Sequence, residues 1–296
     1  MLKDVIAFVL SNAIVVFMFS AGLAAQRGGV RQIFQRPALY GRALAVVLVA
    51  VPLLAYVLVR LFRPPPVVAT AIVLTAICPG APLMVKQAKS LHASVTTALN
   101  LLLLLSICSL VTVPLWVEVL DRVMGVQLQA SPGLVLRTLL VKVIPPLVAG
   151  LAVQQFFPRV AGGLAVWTNR LFNVLLVVVV VLLVVKAPPR LGELGGATVL
   201  ALLVLVSASA FLGHWAGAPR LEDRKAAALT AGLAPPALTL TIIVHSYPRL
   251  QALEVAAGVA AIVIVRLLAL IPYKIWAKRQ DRKEHTERLP PGSVTG

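Results

Sequence analysis

Charge is scarce in this sequence, and acid is scarcer than base. Of 296 residues 12% are charged, ten of them Asp or Glu. A surface that faces water is normally about a quarter to a third charged, so lipid is the expected solvent for most of this chain. The carboxylates that exist, Asp4, Glu118, Asp121, Glu193, Glu222, Asp223, Glu254, Asp281, Glu284 and Glu287, fall at helix ends or in loops. That placement excludes a proton relay or cation site built on a mid-membrane Asp or Glu. Cys78 and Cys108 stand singly in apolar stretches, which excludes a disulfide framework and a CxxC metal site. HExxH and GxSxG are missing too, so neither an intramembrane enzyme nor a bound cofactor or metal is expected.

What is present is hydrophobicity, at 60% of positions, with a mean hydropathy of +0.97. A spanning helix needs about 20 mostly apolar residues. Nine stretches fit that template: 5–25, 37–62, 66–90, 93–118, 131–157, 164–186, 193–216, 224–246 and 250–276. Between them stand Pro/Gly punctuation marks such as Arg63-Pro64-Pro65-Pro66, Ser131-Pro132-Gly133 and Ala187-Pro188-Pro189. The expectation is an all-α polytopic membrane protein, one transmembrane domain over 1–278 followed by a charged cytoplasmic tail over 279–296. The first stretch is long enough to span, which favours a retained helix over a cleaved signal peptide.

The net charge of +17 sits in short clusters between apolar runs, without aromatic interleaving. Anionic lipid headgroups are therefore the expected partner, and nucleic acid is not. Loops bearing Arg27, Arg31, Arg36, Lys89, Arg159, Arg170, Arg220, Arg224 and Lys225 share a side with the basic tail, and the other side is poorer in Lys and Arg. By the positive-inside rule the C-terminus is cytoplasmic and, with nine spans, the N-terminus lies outside. The expected location is a bacterial inner (plasma) membrane.

Two stretches are interrupted near their middles. Cys78-Pro79-Gly80-Ala81-Pro82 divides the third, and Gly232-Leu233-Ala234-Pro235-Pro236 divides the eighth. Proline removes a backbone donor and clashes with the preceding turn, so both helices are expected to break near the bilayer centre. The helices around the breaks match at a common offset, giving repeat units 5–120 and 164–278 of four and five spans, with core helices over 37–120 and 193–278. An odd number of crossings separates the units, so they are inverted. Paired broken helices in an inverted repeat are the best sequence pointer to a transporter binding site. Half-helix N-termini near Pro82 and Pro236 would direct partial positive charge at an anion there. The plainer reading of the prolines is simple kinking.

Three segments carry a family resemblance: Phe17-Met18-Phe19-Ser20-Ala21-Gly22-Leu23, Ile77-Cys78-Pro79-Gly80, and Lys225 through Gly232-Leu233-Ala234-Pro235-Pro236-Ala237-Leu238. With these the chain resembles the bile acid:sodium symporter family. The resemblance implies a panel domain beside a core domain, ten helices in two inverted five-helix repeats, and two unwound helices that cross. The opening unit here would lack the first family helix. The departures fall on the ligands that bind sodium in the family: a Ser-Asn pair corresponds to Met84 and Val85, and Glu, Gln and Asn correspond to Thr230, Ala234 and Pro235. Hard cations need several oxygen ligands, and this set argues against sodium coupling.

The substrate-binding or crossover residues expected are therefore Pro79, Gly80, Pro82, Lys86, Thr96, Asn100, Thr230, Gly232, Pro235, Pro236 and Thr239. Lys86, one turn beyond Pro82, is either a tethered cation at the crossover or a side chain that snorkels to headgroups with Lys89. Asn100, Thr96 and Thr97 lie on the helix that supplies ligands in the family, or serve as interhelical hydrogen bonders. Thr230, Thr239 and Thr241 line the cavity or satisfy local carbonyls. Arg266, toward the cytoplasmic side of the last helix, either snorkels or faces an anion path, with snorkelling the favoured reading, and His214 and His245 are read as interfacial. The expected function is a secondary transporter or facilitator of a small, anionic organic solute working by alternating access. The alternatives are a metalloid exporter using Cys78, or a membrane sensor or scaffold with the same fold.

Overall fold

A computed structural model describes residues 2–25, 29–80, 83–124, 131–186, 195–247 and 249–287. Every regular element among them is helical. The helices are α1 (Leu2–Leu23), α2 (Gly29–Gln35), α3 (Pro37–Ala45), α4 (Val51–Phe62), α5 (Pro66–Ile77), α6 (Leu83–Ser90), α7 (Val95–Met124) and α8 (Pro132–Lys142). There follow α9 (Ile144–Phe156), α10 (Pro158–Lys186), α11 (Gly195–Ala216), α12 (Leu221–Gly232), α13 (Pro236–Ser246), α14 (Arg249–Ala269) and α15 (Ile271–Glu287). Among the described residues five continuous helices are long and apolar enough to cross a membrane: Pro37–Phe62, Val95–Val123, Pro132–Phe156, Gly195–Ala216 and Glu254–Asp281.

Proline sets many of the boundaries. Pro37, Pro66, Pro132, Pro158 and Pro236 each open a helix, where a missing N–H costs nothing because the first turn has no partner for it. Pro52 lies inside the Pro37–Phe62 span and has no N–H to return to the Leu48 carbonyl. The helix widens into a π turn over Val46–Ala50, and the Trp116 indole of α7 donates to the Leu48 carbonyl at 2.7 Å. In lipid every backbone group needs a partner within the protein, and a side chain supplies this one.

Two elements add detail to the sequence expectation. The Arg27-Gly28-Gly29 punctuation is followed by the short helix α2, whose Phe34 is exposed. The tail continues as helix α15 as far as Glu287, since 279–287 contains no Pro or Gly and is rich in Lys, Arg, Glu and Gln, which sustain a helix.

Large apolar residues face outward along the long helices, including Val111 on α7, Trp167 on α10 and Phe211 on α11. That is the surface expected against lipid chains. Inside, α1 packs on α9 and α10 while α11 and α12 form a hairpin, and α14 lies against α5, α11 and α13. The α1–α9 contact is backbone to backbone. A Cβ on Gly22 would meet Leu147 O and the Gly150 Cα, and a Cβ on Gly150 would meet Phe19 O. Small residues that let helix backbones touch are the usual device where lipid removes the hydrophobic drive between helices.

Candidate functional site

Both predicted interruptions are present. Helix α5 ends at Ile77, and Cys78 turns extended (φ −91°, ψ 100°). Gly80 follows at φ +84°, a left-handed conformation that glycine adopts without steric cost. It lies against Leu102 and Leu105 of α7. In the second interruption α12 ends at Gly232, Leu233 and Pro235 are extended, and α13 starts at Pro236. The four half-helices pack crosswise: α6 against α12 and α5 against α13. The first half of each interrupted pair thus meets the second half of the other.

The residues expected at the crossover are distributed as follows. The thiol of Cys78, next to Pro79 and Gly80, is within hydrogen-bonding reach of the Thr239 side chain, so the first break touches α13. Thr239 donates to Pro235 O at 3.2 Å and Thr230 to Ala226 O at 2.8 Å, so both hydroxyl protons satisfy carbonyls one turn back. Gly232 and Pro235 are buried. Asn100 is buried on α7 and donates to the Tyr40 hydroxyl of α3 at 2.8 Å. Thr96, on the same helix, is half-buried and hydrogen-bonded or otherwise paired. Pro82 lies outside the described residues. Lys86 is exposed on α6, on the face opposite the buried Met84, Ala88 and Leu91.

A polar network joins the α6/α12 end of the core. The Asp223 carboxylate, buried in the first turn of α12, accepts from Arg36 Nη1 at 2.9 Å and from Thr97 Oγ1 at 2.6 Å. The Ser94 N–H donates to Glu222 O at 3.1 Å. Lys225, 1% exposed, is paired with Asp281 of α15, and His92 Nδ1 stands 3.7 Å from the same carboxylate. The sequence expectation puts Asp223 at a helix end or in a loop, and Lys225 among the loop cations at the start of the 224–246 stretch. The signal that they are buried was the unbroken continuation from Lys225 into Ala226-Ala227-Ala228-Leu229, a helical run that carries both charges inward.

Arg266 is the other side chain whose position differs from the reading. It is 4% exposed, and neither its Nε nor its Nη2 has a hydrogen-bond partner among the described residues. A guanidinium that snorkelled would carry its head to the surface. No cluster of three or more His, Cys, Asp or Glu side chains suited to a metal ion occurs among the described residues.

The sequence profile described as "Sodium Bile acid symporter family" matches residues 12–187, more than half of the chain. The match takes in the first interruption and ends before the second. A comparison with curated proteins returns no match.

Proposed function

The chain belongs to the sodium bile acid symporter family, and from that premise we propose that it is a secondary carrier of a small anionic organic solute, working by alternating access without sodium. Family and apolar helices together make it an integral membrane protein of a transporter family. The finer reading is nine spans, with inverted units over 5–120 and 164–278, the C-terminus cytoplasmic and the N-terminus outside. The observation that carries it is the crosswise packing of α5/α13 and α6/α12 at two interrupted helices. Such a junction brings half-helix ends to one place and lets the two halves on each side move as a pair.

Sodium independence rests on the donor set. Met84, Val85, Ala234 and Pro235 offer no side-chain oxygen, which leaves Thr230 as the one side-chain oxygen of the set where a hard cation needs several. Lys86, on its exposed face, is assigned to headgroup contact. Cys78 stands opposite a hydroxyl rather than a second thiol, which favours a carboxylate-type solute over a thiophilic metalloid.

Alternating access requires the α6/α12 end to open. Cysteines replacing Ser94 and Glu222, in a chain carrying Cys78→Ser and Cys108→Ser, are close enough in backbone to be cross-linked, because the Ser94 N–H and Glu222 O are 3.1 Å apart. The expected result in proteoliposomes is uptake of a labelled carboxylate under reducing conditions, loss of at least about tenfold on oxidation, and recovery with dithiothreitol. Full uptake with the cross-link verified would show that this end does not move.

A further inference from the structure

Two cationic side chains, Lys225 and Arg266, are buried among the described residues. Lys225 has Asp281 beside it. Arg266 has nothing of the kind, and its two unpartnered nitrogens, Nε and Nη2, form one edge of the guanidinium plane. That edge offers two parallel N–H donors in the spacing that a carboxylate or oxoanion accepts.

The location of Arg266 follows from its helix. Leu270, at the junction of α14 and α15, lies over Gly232 at the end of α12 so closely that a Cβ there would collide with it, and Ala210 of α11 borders the same position. Arg266 lies one turn before Leu270 on the same face. Helix α13, which leaves the interruption, packs against α14. Arg266 is therefore one helical turn from the residue that packs at the α12 end of the interruption. The Ser209 hydroxyl, next to Ala210, is also buried without a partner. Two unsatisfied polar side chains thus belong to elements that close around one interruption. Buried polar groups normally have partners, and a charged one left bare is costly unless something else supplies the partner.

We infer that the Arg266 guanidinium is the recognition site for the carboxylate or oxoanion group of the solute, with Ser209 as an accessory donor. The residue is a fixed positive charge that neutralises the substrate at the break, in the role a co-transported cation would otherwise fill. The inference rests on the carrier reading and narrows its substrate to compounds bearing such a group.

The test uses the full chain purified in detergent, with potassium pyruvate, potassium succinate and potassium sulfate as probes and potassium chloride at matched ionic strength as reference. Without probe, Arg266→Gln should unfold at the same temperature as the unsubstituted protein or higher, because a bare charge has been removed. At least one probe should raise the unfolding temperature of the unsubstituted protein by about 2–4 °C. That rise should vanish in Arg266→Gln and persist, reduced, in Arg266→Lys. A lower unfolding temperature for Arg266→Gln without probe would overturn the inference by showing a structural donor. So would an undiminished response of Arg266→Gln, or no response of the unsubstituted protein to any probe. Proteoliposome uptake of labelled pyruvate and succinate separates the two readings. Binding through Arg266 without flux would sustain the site and remove the carrier, whereas equal flux in Arg266→Gln would sustain the carrier and remove the site.

Discussion

Asp281→Asn is expected to lower the stability of the protein by about 3 kcal/mol, because it strands a buried ammonium. Lys225 is 1% exposed, and its other polar contact is the Leu91 carbonyl at 3.4 Å. A neutral amide in place of the carboxylate cannot compensate a full charge taken out of water. The estimate sits at the lower end of the range for broken buried pairs because the Asp281 side chain is itself 22% exposed. The companion variant Lys225→Met/Asp281→Leu removes both charges and should regain most of the loss, since an apolar pair needs no desolvation. Thermal unfolding in detergent reads both. If Asp281→Asn unfolds with the unsubstituted protein, the pair does not hold α15 to α12.

The second large effect is expected where α1 meets α9. Gly22→Ala and Gly150→Ala should each destabilise by about 1–3 kcal/mol, and Gly150→Leu by more, since the added carbon meets backbone that cannot turn aside. An internal control is available. A Cβ on Gly41, Gly162 or Gly163 has nothing within 4 Å, so alanine there should be neutral or stabilise by up to about 1 kcal/mol through helix propensity alone. Unfolding temperatures of the five alanine variants would separate close packing from propensity. Equal behaviour of the two sets would mean that the α1–α9 backbones do not touch.

These expectations depend on long-range contacts, and the contrast with the sequence reading is physical. The spans over 37–62, 131–157 and 193–216 were legible because lipid imposes a length on any apolar helix, and they reappear as Pro37–Phe62, Pro132–Phe156 and Gly195–Ala216. The interruptions were legible because proline and glycine act on the local backbone whatever surrounds it. What remained hidden was tertiary. Nothing local pairs Lys225 with Asp281, or Asp223 with Arg36 and Thr97. Arg266 sits in a helix that could turn either face inward, and it read as a surface residue because long basic chains generally reach water. Lys86 carried the opposite signal, since Met84, Ala88 and Leu91 already marked the buried stripe of α6 and left Lys86 outside it. The network at the α6/α12 end arises because the first turn of α12 turns Asp223 and Lys225 inward while Arg220 and Glu222 stay exposed, a helix orientation that hydropathy does not report.

Under the proposed alternating access, one end of the core would be held and released at this network. Arg36, Thr97 and Asp223 tie α12 to α7 and to the segment before α3, while Asp281 ties it to α15. These contacts are charged and hydrogen-bonded rather than apolar, so they can be exchanged for water when that end opens. The apolar contacts nearer the breaks, such as Gly232 with Leu270 and Gly80 with Leu102, are of the kind that persist while rigid pieces move.

The carrier proposed for this chain moves an anion without sodium. Uptake of labelled pyruvate and succinate into proteoliposomes, measured with sodium and with choline as the external cation at equal ionic strength, tests it most directly. Flux of at least one of the two at the same rate in both media is the expected result. Uptake that appears only with sodium, or no uptake of either anion, would contradict it.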